Sequence, residues 1–140
     1  MSAVGTNGPI AVHRFDREKL QRIHIRPGTS TEFVTWNDLA IAQPECYAGF
    51  QEVRPGDPTG SWVMWFDEVQ YVLDGSAYLI YRMPPLFAEE FRVELRAGDL
   101  FMLPTGCDFT WEVIGDTPFR TVILALPFPK NMQLYEGMGA

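Results

Sequence analysis

From residue 33 onward the chain alternates apolar and polar positions in short runs, each broken by turn-forming residues. The runs "EFVTWNDL" (32–39), "ECYAGFQEV" (45–53), "SWVMWF" (61–66), "EVQYVL" (68–73) and "SAYLIYRM" (76–83) are predicted strands. So are "EEFRVELR" (89–96), "DLFMLP" (99–104), "DFTWEVI" (108–114) and "FRTVILALP" (119–127). Between them lie "RPGDPTG", "LDG", "MPP", "RAGD", "PTGCD" and "IGDTP", which are turn signals because Gly, Pro and Asp take up the dihedrals that tight turns demand. Many short strands with regular punctuation predict an all-β domain, a sandwich or barrel, rather than an alternating α/β sheet. Ahead of them, "RFDREKLQRI" (14–23) predicts a short helix with Asp16 as its cap. Residues 1–30 are therefore read as an N-terminal arm and residues 31–140 as the barrel domain.

Several runs are apolar on both faces. In "WVMWF", Trp62, Met64 and Phe66 share one side and Val63 and Trp65 the other. One side can line an interior; the other needs cover from a second sheet or a second subunit, and a homodimer is the simplest expectation.

Composition narrows the class. The chain has 140 residues, 46% hydrophobic and 14% aromatic, which suits one folded domain with a core of its own. Eighteen acids against 11 bases give a net charge of −7. That balance argues against nucleic-acid backbones and anionic membrane surfaces as partners. No run has the length of a bilayer-spanning helix, and the start, "MSAVGTNGPIAV", lacks the basic-then-apolar pattern of a secretory signal. The expected compartment is the cytoplasm, with Cys46 and Cys107, the two cysteines, as reduced packing residues.

Two glycine-anchored frames carry the chemistry. Gly56, Trp62, Met64, Glu68 and Gly75 follow the spacing G-x5-H-x-H-x3-E-x6-G, with Trp and Met in the histidine seats. Gly98, Pro104 and Gly106 follow G-x5-P-x-G-x2-H-x3-N, with Phe109 and Val113 at the histidine and asparagine positions. These are the two motifs of the cupins, and residues 45 to 128 resemble that superfamily. The resemblance implies a double-stranded jelly-roll barrel. Within the cupins, "WFDEVQYVLDG", "RAGDLFMLPTG" and "YAGFQ" resemble the ethanolamine-utilization Q-type branch, which also lacks the histidines.

A cupin metal is held by three imidazoles and a carboxylate, and here only Glu68 remains. Trp and Phe offer a metal no lone pair, and a thioether is a soft donor that suits hard divalent ions poorly. The expectation is no metal and no cofactor. The rival reading brings His13 or His24, both ahead of the barrel, into the cavity.

The motif positions point inward in cupins, so the two-residue period extends the inward set to Trp62, Met64, Phe66, Glu68, Gln70 and Val72. Cys107, Phe109, Trp111 and Val113 follow from the second motif, with Phe101 and Leu103 from the strand after Gly98. This predicts a mostly apolar cavity with a carboxyl and an amide set into it, the composition of a small-molecule site. Burial should raise the Glu68 pKa, making it the candidate catalytic acid–base, oriented by Gln70. Trp62, Met64, Phe66, Gln70, Phe101, Phe109 and Trp111 are the candidate substrate-binding residues. The structural alternative for Glu68 is a relic satisfied by Tyr47, Tyr81 or a backbone group.

Outside that set, Asp67 is expected to face outward, Asp99 to brace a turn and Asp108 to sit at a strand start near the barrel mouth. Tyr78 and Tyr81 are placed within reach of the cavity, and the loop 84–88 over its mouth. Three functions fit: a metal-independent lyase, isomerase or dehydratase acting on a small apolar or aromatic molecule; a non-catalytic small-molecule binder; or an accessory protein that works through its outer surface.

Overall fold

The computed structural model describes residues 9–25, 32–43 and 46–125. Ten strands form: β1 (Gln21–Ile25), β2 (Phe33–Gln43), β3 (Cys46–Val53), β4 (Trp62–Val63), β5 (Glu68–Asp74), β6 (Ser76–Arg82), β7 (Phe91–Arg96), β8 (Leu100–Leu103), β9 (Asp108–Val113) and β10 (Phe119–Ala125). They make two antiparallel sheets, one of six strands in the order β1-β2-β3-β10-β5-β8 and one of four in the order β4-β9-β6-β7. This is the all-β, double-stranded jelly roll expected from the sequence. The last expected strand, 119–127, ends outside the described residues.

The inward faces of the two sheets make the core. Burial alternates without a break from Trp62 to Val72: Trp62, Met64, Phe66, Glu68, Gln70 and Val72 are buried, and each residue between them is more exposed. The alternation continues through Met64–Phe66, although only Trp62 and Val63 are paired in the ladder. Met64 instead exchanges backbone hydrogen bonds with the turn before β9, donating to Cys107 and accepting from Gly106. At the far end Trp111 packs among Phe101, Phe109 and Phe119, with ring centres 5.9, 5.6 and 5.1 Å away.

The turn between β5 and β6 depends on Gly75. Its φ is +76°, and a Cβ there would lie 2.4 Å from the Pro118 carbonyl oxygen. Only glycine meets both demands.

The two seams of the barrel differ. On one side β2 is stitched to the loop before β4: Val34 donates to the Pro58 carbonyl, Gly60 donates to that of Glu32, and Phe33 and Thr59 form a bridge. On the other side β7 and β8 each end a sheet and are not paired with each other. A cavity of about 580 Å3 opens there, lined by β6, β7 and β8 residues including Leu79, Tyr81, Leu95 and Phe101.

The N-terminal segment departs from its helical reading. Asp16 does cap, accepting from the Glu18 amide at 3.0 Å, but the helix is a single 3-10 turn over Arg17–Lys19. β1 follows at once and pairs with β2 from Gln21↔Asn37 to Ile25↔Phe33. The open edge of an eleven-residue β2 offers ladder hydrogen bonds, and these outweigh the weak helical preference of a short polar run. Arg17 from this segment reaches Glu52 on the outer face of β3, whose carboxylate also takes Arg54 and Arg120.

Candidate functional site

The interior cavity is built from both sheets. β5 supplies Glu68 and Gln70, β2 supplies Phe33, Thr35 and Asn37, and β3 supplies Tyr47 and Gln51. Trp62, Met64, Phe66 and Phe109 close it from the side of the four-stranded sheet and its connection to β5. The hydroxyl, amide and carboxyl groups all come from β2, β3 and β5, while the aromatic and thioether groups come from the opposite side and from Phe33 and Tyr47.

The cavity is small, about 40 Å3. The cavity at the open seam is far larger, about 580 Å3. Aromatic packing surrounds the interior one: Phe33 meets Phe109 edge-on at 5.6 Å and lies 6.3 Å from Trp62, while Tyr47 meets Phe66 edge-on at 6.3 Å. The mostly apolar cavity expected from the sequence is thus narrowed by its own aromatic walls.

Of the candidate residues, Glu68, Gln70, Trp62, Met64, Phe66 and Phe109 come together around this cavity. Phe101 and Trp111 do not. Trp111 is buried in the aromatic cluster at the other end of the barrel, and Phe101 lines the cavity at the open seam. Both point inward as the period requires, but Trp111 lies towards the other end, and Phe101, opposite Gln70 on β8, faces the open seam.

Phe33, Thr35, Asn37 and Gln51 were missed. The two-residue period was visible in "FVTWN" and "YAGFQ", but no motif position fixed which face of β2 or β3 turned in.

Glu68 is 6% exposed, and its Oε1 accepts a hydrogen bond of 2.8 Å from Gln70 Nε2. Burial disfavours the charged form and pushes the Glu68 pKa up to about 7, against the smaller opposing pull of the Gln70 bond. The bond comes from Gln70 rather than from Tyr81, which stacks on Phe91 at 5.2 Å. A carboxyl with this pKa exists in both forms at neutral pH and can take up or release a proton.

The donor set does not fit a cupin metal. The three imidazole seats hold Trp62, Met64 and Phe109, and all three line the cavity. Among the described residues no three His, Cys, Asp or Glu side chains gather to hold an ion. Neither histidine reaches the interior. His13 lies on the outside of the six-stranded sheet beside Ala40, Ala48 and Val122, and His24 sits on β1, 3.3 Å from Glu32.

The remaining candidates take structural places. Asp67 is exposed and accepts from the Thr105 amide and hydroxyl at 2.7 and 2.9 Å. Asp99 accepts from the Arg96 amide across its turn at 2.9 Å. Tyr78 lies beneath the Arg92 guanidinium. Asp108 and Phe87 line a separate cleft with Arg82 and Glu90, and none of residues 84–88 lines the interior cavity. Burial, with a smaller contribution from Asp108, pushes the Cys107 thiol up to about 11, which leaves it a packing residue.

Among the described residues no helix is long and apolar enough to cross a membrane. The same fold occurs in solved structures. The EutQ protein of Clostridium difficile matches with a TM-score of 0.53 at 21% identity, over 69% of this chain and 70% of that one. A putative ethanolamine utilization protein Q from Salmonella typhimurium matches with 0.52 at 16%, over 77% and 95%. An RmlC-like cupin family protein from Methanocaldococcus jannaschii matches with 0.58 at 9%, over 92% and 99%. At these identities the likeness is one of fold. No curated relative matches the chain in sequence. The family model described as Cupin matches residues 59–134, more than half of the chain. With both glycine frames in register and the double-stranded barrel formed, this chain belongs to the cupin family.

Proposed function

We propose that this cupin is a metal-independent small-molecule enzyme, a lyase, isomerase or dehydratase, in which Glu68 exchanges a proton with the substrate. The observation that carries the reading is the state of Glu68: buried, bonded to Gln70, and raised to about 7. In its ionised form it accepts a proton from a substrate carbon or oxygen; in its neutral form it returns that proton to another position or to a leaving group. Gln70 holds one carboxyl oxygen and leaves the other for the substrate. Trp62, Phe33 and Phe109 pack against the substrate's apolar part. Entry requires a wall to move, and Met64, unbranched and 3% exposed, is the wall with the most conformational freedom. The test is Glu68→Gln, which keeps the shape and the acceptor for Gln70. Turnover should fall by at least about a hundredfold, the ordinary loss for a general acid–base, while the fold stays intact. Unchanged turnover would remove the mechanism.

The cavity volume favours a second reading, a non-catalytic binder or accessory cupin that keeps the fold without a reaction. A thermal shift with small alcohols or amines, without conversion of any of them, would favour it over the enzyme.

A homodimer is part of the proposal. The outer face of β5 and β8 carries Tyr71, Leu73, Leu100 and Met102, all at least 40% exposed, and a second copy is the simplest cover. Ultracentrifugation showing only monomer at micromolar concentration would count against it.

A further inference from the structure

We infer that the polar end of the ligand taken into the interior cavity is a hydrogen-bond donor, a hydroxyl or an ammonium group, and not a carboxylate or phosphate. The inference rests on the small-molecule reading above and names the chemical class that the same cavity selects.

Gln70 Nε2 donates to Glu68, and this fixes the amide so that its carbonyl oxygen turns the other way. That Oε1 is buried and has no partner, in a side chain only 1% exposed. Asn37 Oδ1, on the same cavity wall, is likewise buried and unpartnered. Glu68 makes no second side-chain hydrogen bond among the described residues. Three residues of β2 and β5 that line the cavity thus each carry an acceptor oxygen with no side-chain donor on it among the described residues. A buried acceptor left without a donor is unfavourable, so a group that brings two or three N–H or O–H bonds is favoured there.

Charge points the same way. No Lys, Arg or His lines the cavity among the described residues. Glu68 is its one charged group and Tyr47 its other titratable one. The neighbours of Glu68 across the ladders are Ala125 on β10 and Leu103 on β8, both neutral. An anionic end would meet the Glu68 carboxylate, and no cationic side chain among the described residues lines the cavity to offset that repulsion. The apolar opposite wall suits a short hydrocarbon body behind the donor.

Three probes with one shared body separate the outcomes: propan-1-ol, propylamine and propionate, titrated at pH 8 into protein labelled for NMR at Glu68, Gln70 and Asn37. The alcohol and the amine should perturb these residues and the acid should not. The amine should bind up to about tenfold more tightly at pH 8 than at pH 6, as Glu68 ionises, and Glu68→Gln should abolish that difference. Asn37→Leu, which removes one acceptor and leaves Glu68 in place, should weaken the alcohol. Propionate binding in the cavity as tightly as propan-1-ol would overturn the inference and leave the small-molecule reading standing. Failure of all three at saturating concentration would overturn both.

Discussion

The side-chain amide of Gln70 donates to the carboxyl of Glu68 at 2.8 Å, joining two inward residues of one strand inside the barrel. The pair stands where the cupin motif places a metal-ligating carboxylate, and burial raises the Glu68 pKa to about 7. Its consequences for stability can be measured without knowing the substrate.

Glu68 should make the protein less stable as the solution becomes more basic. Its folded pKa, about 7, lies above the ordinary value of 4.5. Below 4.5 the group is neutral in both the folded and unfolded states and costs nothing. Between 4.5 and 7 the folded state holds a proton that the unfolded state has lost, so stability falls through that window. The full loss is on the order of 3 kcal/mol. Glu68→Gln should flatten the curve and be the more stable protein at pH 8, with little difference at pH 4.5. Equal denaturation midpoints for the two at pH 8 would refute this.

Glu52 should behave in the opposite sense. Its carboxylate is wholly buried on the outer face of β3, yet hydrogen bonds from Arg54, Arg120 and Arg17 outweigh the burial and hold its pKa below the ordinary value. The stability it confers is present above the unfolded pKa and is lost as pH falls through the folded one. Breaking a buried ion pair costs about 3–5 kcal/mol, and Glu52→Gln should fall near the lower figure because the arginines can rehydrate. Urea denaturation at pH 7 and pH 3 would show the difference shrinking on acidification.

Met64→Ala should trade stability for room. Removing a buried Met side chain costs about 2–5 kcal/mol. The space gained adjoins Glu68 and Gln70, so the variant should bind propan-1-ol more tightly than the parent does. Calorimetry showing weaker binding by a folded variant would mean that Met64 is not the wall that yields.

Two glycines with positive φ should respond differently to alanine. Gly75 has φ +76° and would place a Cβ 2.4 Å from a backbone oxygen; Gly98 has φ +96° and open space. Gly98→Ala bears only the backbone strain, about 1–2 kcal/mol, whereas Gly75→Ala bears the clash as well. Thermal melts should rank Gly75→Ala clearly below Gly98→Ala.

Much of this architecture was legible in the sequence, for definite reasons. The turns announced themselves through Gly, Pro and Asp, and the motif frame fixed which face of β5 and β9 turned inward. β1 was not legible. "QRIHI" is too short for alternation to be read, and what makes it a strand is the edge of β2, a tertiary fact. The inward residues of β2 and β3 lacked an anchor. The size of the cavity was beyond reach as well, since it depends on how Phe33, Trp62, Met64 and Phe109 interlock rather than on which residues they are.

The unequal seams give this barrel a hinge and a lip. The edge bound by Val34, Gly60 and the Phe33–Thr59 bridge is held by main-chain bonds, while β7 and β8 face each other unjoined. Breathing motions should therefore part the barrel along β7 and β8, and deuterium uptake should run ahead there while the opposite margin stays protected. A guest admitted by such a motion would arrive through the side of the molecule rather than through its end.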